Sequence, residues 1–521
     1  MKNKISASIL SLLAICATSC GGSTSNNYYV MDQSKATLTY NKARTAYVYD
    51  CEANQAGDVR VLVVPVEFVT EEDDTYSADN LPLGREGSRE AIKEVMFGED
   101  NTHKGSRNQW ESLASFYNES SYGKCNITGY VADWWTVNRT VKQQYALGSV
   151  SDIINSVNDY YVYGGGKKIL NQLDEDLDAN DDGFIDATLF VYTPPMRVNG
   201  NSDKVFWAYV TQRGSSGGDV TNPNISRYMW GSFWFMFENG YYAENASGNL
   251  VYHEWTTEQE KNNEAKFDVH TWCHEFGHVL GLPDYYDTAY TGSKPLGAVD
   301  MMDYNVGDHN AVSKALYNWI SPYVVTGNSK ITLRSFQLTG DAILLPIREA
   351  NWTENSYSLC DEYFMVEFDT PEGLYYNDAT YPYLGGEYPT VYSEPGVKFL
   401  HADVRLGVFQ SGTFLSYTKN IKLADESRYV FLAHSNTTTE SPNNNAFLEL
   451  ILPNGKANSK SIATNSSLFH EGDELKDYKM NTRLPDDSFG NTYQLGWDVK
   501  VDRIYQDENG AYNADIVIKE I

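Results

Sequence analysis

Hydrophobic and polar positions along this chain alternate in two distinct textures. In the first part, apolar runs are separated by stretches of helical period. Arg60-Val-Leu-Val-Val-Pro-Val-Glu-Phe68 is nearly all apolar and short, which predicts a buried strand. Ser88 to Phe97 carries Ile92, Val95 and Met96 on one side, as a helix does. Asn108 to Asn118 predicts a second helix and Asp152 to Tyr160 a third. Ile127 to Val137 returns to strand character, and Ala187-Thr-Leu-Phe-Val-Tyr192 is a second buried strand. From Asp268, a plausible N-cap, Val269, Trp272, Cys273, Phe276, Val279 and Leu280 follow the spacing of one buried helical face. Gly281 stands where a C-terminal cap belongs, and Pro283 stops continuation. A further helix is expected from Ala311 to Trp319, ended before Pro322.

Beyond Pro322 the texture changes. Short alternating runs such as Glu362 to Phe368 and Val397 to Val404 are separated by Asn, Gly, Ser and Asp clusters. That pattern predicts an all-β region, a sandwich, over residues 326–521.

The first residues predict a targeting segment. Lys2 and Lys4 precede an apolar run from Ile5 to Ala17, then Thr18, Ser19 and Cys20. Ala17-Thr-Ser-Cys20 is similar to a bacterial lipobox, so Cys20 is the expected lipidation site. Residues 1–19 would be the signal peptide and 20–58 a tether and leader. The chain has 521 residues, enough for two or three domains. Its 40 Lys+Arg against 70 Asp+Glu leave a formal net charge of -30. Such a balance argues against nucleic acid and against electrostatic binding to anionic lipid. The expected setting is an exported lipoprotein, held on a membrane by its N-terminal lipid alone, facing the periplasm or cell surface, and monomeric. After Cys16 and Cys20, Cys51, Cys125, Cys273 and Cys360 remain; three pairings are open.

Chemistry concentrates in His274-Glu-Phe-Gly-His278-Val-Leu-Gly-Leu-Pro-Asp284. Residues four apart on a helix share a face, so His274 and His278 can reach one zinc ion. Glu275 projects beside them as a general base, and the turn at Gly281 returns Asp284 as a third ligand. Asp287 is the competing candidate for that third position. His270 lies four residues before His274, but Thr271 would then occupy the base position, so His270 is read as a helix-start residue.

Two further clusters stand out. Asp178, Asn180, Asp182 and Asp186, with Gly183 between and the Phe184 carbonyl in reach, form the front of a calcium loop. Leu189 stands where the last ligand of a full EF-hand would be, so a remaining ligand would come from elsewhere, as from Asp174 or Asp176. Asp300-Met-Met302-Asp-Tyr304 follows the zinc motif; Met302 could floor the metal site and the Tyr304 hydroxyl approach the developing oxyanion.

In these residues the chain resembles the immune inhibitor A-type zinc metalloendopeptidases. The likeness rests on the Arg60–Phe68 strand, Ser112–Gly123, Asp178–Asp186, His274–Asp287 and Asp300–Asn310, with Ser313-Lys314 and Trp319–Pro322 following in order. Gly396 to Asp403 extends it. The resemblance implies an α+β, metzincin-like catalytic domain over 59–325: a twisted sheet, an active-site helix and a methionine turn. It implies cleavage of internal peptide bonds in proteins, with catalytic zinc and structural calcium. Carried over, His274, His278 and Asp284 are zinc ligands, Glu275 is the base, and Met302 is the turn methionine. The competing expectation is a surface module that binds glycan or protein around a non-catalytic zinc.

Overall fold

The computed structural model describes residues 55–521 except 99–109, 197, 199–203, 214–217, 237–239, 245–249, 255–266, 348–358, 360–361, 382, 384–387, 411–412, 417–427, 432, 434–435, 439–444 and 483–490. Cys20, Cys51 and Cys360 lie outside these, as does the start of the helix expected from Asn108.

A six-stranded sheet organises the first part of the chain. Its strands are β1 (Gly57–Phe68), β2 (Cys125–Val131), β3 (Trp135–Val137), β4 (Ala187–Tyr192), β5 (Tyr209–Gln212) and β6 (Arg227–Ser232). The order is β2-β1-β4-β6-β5, with β3 also paired to β1. Every pairing is parallel except that of β5 with β6 at the edge. A parallel sheet is covered on both faces, which is why β1 reads as a continuous apolar run. Its pleat sends Val59, Val61 and Val63 into one core and Leu62, Val64 and Val66 into another. The segment expected as one strand from Ile127 to Val137 is two, interrupted at Ala132–Trp134, and the two pair with successive parts of β1.

On the first of those cores lies the helix His270–Val279, burying Trp272, Cys273, Phe276 and Val279. Asp268 does not cap it: Val269 holds the N-cap position and no side chain caps it. The Asp268 carboxylate instead accepts from the His270 backbone N–H at 3.1 Å and from its ring. The helix Leu113–Ser120 packs alongside, and the Tyr117 hydroxyl donates to the Cys273 carbonyl at 2.7 Å. Cys125 and Cys273 are both buried.

The later region is mainly β, with short helices at Phe336–Thr339 and Tyr375–Thr380. A second six-stranded sheet includes Ala342–Pro346, Glu362–Asp369, Gly396–Asp403 and Leu448–Leu452; a four-stranded sheet includes Ser329–Arg334, Trp497–Gln506 and Tyr512–Glu520. Phe364, Val366 and Phe399 pack against Val499, Ile516 and Ile518 of the four-stranded sheet. The opposite face of the same strands, through Leu344, Met365 and Leu400, joins the core that carries Trp272 and Phe276. One β-sheet therefore serves as a wall to both parts of the molecule.

Buried charges on this sheet are paired. Lys398 bridges Glu367 and Asp369, and Glu367 also accepts from the Ala311 N–H at 2.6 Å, at the start of the helix Ala311–Leu316. His401 lies between Glu362 and Glu449, at 2.9 and 3.0 Å, and Arg405 pairs with Glu362 and Asp403. Among the described residues, no helix is long and apolar enough to cross a membrane.

Candidate active site

His274 and His278 sit one turn apart on their helix, rings 4.9 Å apart and nearly perpendicular. Each ring has its Nδ1 2.7 Å from a backbone carbonyl, Met301 for His274 and Leu282 for His278. A carbonyl can only accept, so Nδ1 carries a proton and Nε2 is the nitrogen left to face a ligand. Both Nε2 atoms face Asp284, whose Oδ1 lies 3.2 Å from His274 and 3.1 Å from His278. Gly281, at φ +101°, makes this return possible.

Among the described residues these three form the one group of carboxylate, imidazole or thiol ligands close enough to hold a metal ion, with donor atoms within 4.8 Å of one another. Two imidazole nitrogens and a carboxylate oxygen are the donor chemistry of zinc sites that keep a position open. Burial alone would raise the Asp284 carboxyl, but hydrogen bonds and charge from His274 and His278 outweigh it and hold the group well below the usual carboxylate range. Burial lowers His278, yet Asp284 overrides it and takes the ring up to about 9. In water-filled surroundings such a pairing would be modest; here it is sheltered.

Glu275 is buried beside the trio. Burial pushes its carboxyl up, the two histidines pull it partly back, and Asp284 adds to the rise. Asp287, the rival third ligand, is turned away: its carboxylate accepts from the Thr291 N–H at 2.6 Å and from the hydroxyls of Thr291 and Thr437.

Met301–Tyr304 forms a single turn beneath the helix. Asp300 caps it through the Met302 N–H at 2.8 Å and holds Asn310 with its other oxygen. Met302 is fully buried against Gly277. Tyr304, half-buried, receives the Lys294 ammonium at 2.5 Å on its hydroxyl. A cavity of about 660 Å³ opens over the site, lined by His274 and Glu275, by Tyr304, and by Trp207, Trp234 and Tyr286 among others.

Sequence reasoning missed three features. Tyr286 lines the cavity, its ring stacked on His274 at 6.3 Å. Lys294 reaches the cavity from the connection between Asp284 and Met301. Asp378 and Tyr383 come from the later region: Asp378 lies 3.2 Å from His270 Nε2, and the Tyr383 hydroxyl donates to Asp268. His270 is thus an imidazolium, buried yet raised to about 10 by Asp378 and Asp268, between the rings of Trp110 and Tyr383. Only the position of Tyr286, two residues beyond Asp284, was a sequence signal.

The Asp178–Asp186 loop is far simpler. Asp178 accepts from the N–H groups of Asp182 and Gly183 at 3.0 and 2.9 Å, and Asp182 from Phe184 at 2.9 Å. Asp186 is buried and accepts from Arg60 at 2.7 Å; burial pushes it up to about 7. Asn180 accepts from Asp182 at 3.1 Å.

Residues 49–306, which include this whole constellation, match the family model described as immune inhibitor A peptidase M6, catalytic domain. The chain belongs to the immune inhibitor A peptidase M6 family. It is therefore related to metallopeptidases. Over 269 residues it is 24% identical to "Immune inhibitor A" of Bacillus thuringiensis subsp. alesti, covering 47% of this chain and 36% of that relative. The match thus spans little more than a third of that relative's length.

Proposed function

We propose that this M6 family member is a zinc-dependent endopeptidase that hydrolyses internal peptide bonds of proteins, on a metzincin-like catalytic region. The observation that carries the reading is the convergence of His274 Nε2, His278 Nε2 and Asp284 Oδ1 beside buried Glu275, under an open cavity. The donor set fits zinc: the Nδ1 protons are committed to carbonyls, so each histidine would offer its Nε2 to the metal, which would displace any proton there. Zinc, when bound there, would supply a Lewis acid that acidifies water and polarises the scissile carbonyl.

The remaining work falls to side chains of this chain. Glu275 takes the proton from the attacking water and delivers it to the leaving amine nitrogen. A carboxyl raised by burial suits both duties, because it neither holds its proton too weakly to receive it nor too strongly to give it back. Met302 and Asp300 fix the floor on which His274 rests, through the Met301 carbonyl. The Tyr304 hydroxyl, on a residue that lines the cavity, donates to the developing oxyanion in this reading. The Asp178–Asp186 loop is a candidate structural calcium site, with Asp178, Asn180, Asp182, the Phe184 carbonyl and Asp186 as ligands. Cys20 is the proposed lipid anchor of an exported monomer. A binding module with idle zinc is disfavoured by the peptidase family match and by a buried carboxylate next to the metal ligands.

The test is hydrolysis of an unfolded protein, by the chain from Gly21 onward and by its Glu275→Ala variant, with and without a zinc chelator. Cleavage at internal bonds, abolished by chelator and reduced by about 10²–10⁴ in the variant, is expected. Normal turnover by the variant would refute the assignment.

A further inference from the structure

The wall of the cavity carries a positive charge beside Tyr304. Among the described residues that line it, Lys294 is the sole lysine or arginine. Its ammonium rests on Tyr304, 2.5 Å from the hydroxyl and 4.1 Å from the ring centroid. Among the described residues, no carboxylate oxygen lies within 4.0 Å of it. Among the described residues, the lysines and arginine at buried positions, Lys314, Lys398 and Arg405, each sit against an acid.

Most of the acids around the cavity are held by other groups. Asp268 is held by His270 and Tyr383. Asp287 is surrounded by Thr291 and Thr437 donors. Asp303 accepts from the Ala298 N–H at 2.8 Å through one oxygen; burial and Asp300 shift it up to about 7, and the Lys294 charge, beyond ion-pair distance, pulls it partly back. Glu275 is the proposed base.

Lys294 is also firmly placed. Its backbone N–H donates to the Ser459 carbonyl at 2.7 Å, and its carbonyl accepts from the Asn458 side chain at 2.7 Å. The next residues continue the seam, with Leu450 N–H on the Pro295 carbonyl at 2.9 Å and Ala463 N–H on the Gly297 carbonyl at 2.8 Å. A lysine serving only as solvent-facing surface needs no such fixing. A half-buried ammonium with no carboxylate oxygen within 4.0 Å among the described residues, at the rim of a substrate cavity, is a ready partner for an anion.

We propose that Lys294 is a specificity residue that recognises a substrate carboxylate close to the scissile bond, with the Tyr304 ring as its backing. The inference rests on the peptidase reading above. The carboxylate could come from an Asp or Glu side chain or from the C-terminus of a chain, and the test separates them.

The experiment is a panel of acetylated peptides in which each position flanking the scissile bond carries Glu, Gln or Lys, made with amidated and with free C-termini. The wild type should favour Glu over Gln at one position by about tenfold in kcat/KM, corresponding to one well-placed charge pair. Lys294→Met should bring Glu down to the Gln rate, Lys294→Arg should keep the preference, and Lys294→Glu should move it to Lys. A preference that appears only with free C-termini assigns the anion to the chain end. Equal rates for Glu and Gln at every position, with either terminus, would overturn the proposal and leave the peptidase reading intact. A wild type that cleaves no peptide and no unfolded protein would overturn both. Because the first comparison uses wild type alone, failure of a variant to fold does not shelter the idea.

Discussion

Met302 lies directly against Gly277, so that a Cβ added at Gly277 would fall inside the van der Waals envelope of its sulfur, 3.0 Å from its methyl carbon and 3.5 Å from the His309 ring. Helix propensity alone would favour alanine there by about 1 kcal/mol. Overpacking a closed core costs about 1–3 kcal/mol and acts in the opposite direction. Gly277→Ala is therefore expected to lower the melting temperature and to displace the turn under His274. An unchanged or raised Tm would show that Met302 is free to retreat.

The competition between Asp284 and Asp287 can be decided by metal content. Asp284→Ala should weaken zinc affinity by at least about 100-fold, since it removes a donor and not merely a supporting contact. Asp287→Ala should retain zinc, because that carboxylate is committed to Thr291 and Thr437. Equal zinc loss in both variants would contradict the assignment.

If the Asp178–Asp186 loop takes calcium, the folded state gains by mass action. Calcium at about 100 times its dissociation constant should add about 2.7 kcal/mol. Thermal melts with calcium and with magnesium would read this. Asp178→Ala should start from a lower Tm, having lost the Gly183 and Asp182 hydrogen bonds, and should gain nothing from calcium. An equal calcium increment in that variant would remove the loop from consideration.

His401 makes the β region sensitive to alkali. Burial would lower this ring, but Glu362 and Glu449 outweigh it and lift the pKa from 6.5 to about 10. Protonation is favoured in the folded state, so the stabilisation is complete below about pH 6.5 and is lost as pH rises through about 10. Stability should fall across that window in the wild type. His401→Ala should cost about 3–5 kcal/mol at neutral pH, because buried Glu362 loses its imidazolium partner, and should flatten the profile. A parallel pH dependence in the variant would contradict this.

The legible part of the site was its local part. His274, Glu275, His278 and Asp284 lie within eleven residues, and helix period plus one glycine turn decides their geometry. The strands β1 and β4 were equally plain, because burial on both faces leaves an uninterrupted apolar run. Asp268 was misleading for a physical reason. An Asp before a helix usually serves the backbone, but His270 and Tyr383 compete for the same oxygens, and Tyr383 is 115 residues away. Lys294 and Asp378 were invisible for a similar reason: their roles arise from packing, and no short-range period encodes it. The strand break at Ala132–Trp134 was hidden by residues that favour strands on either side.

The seam that joins Lys294, Pro295 and Gly297 to residues 450–463 ties the rim of the cavity to strands more than 150 positions downstream. Chimeras would feel this first. A protein made by grafting the front half of one relative onto the back half of another would keep every residue of the histidine helix and still inherit a rim whose hydrogen-bond partners were written for a different sequence. Substrate preference in such hybrids should follow the match between halves, not the parentage of the helix.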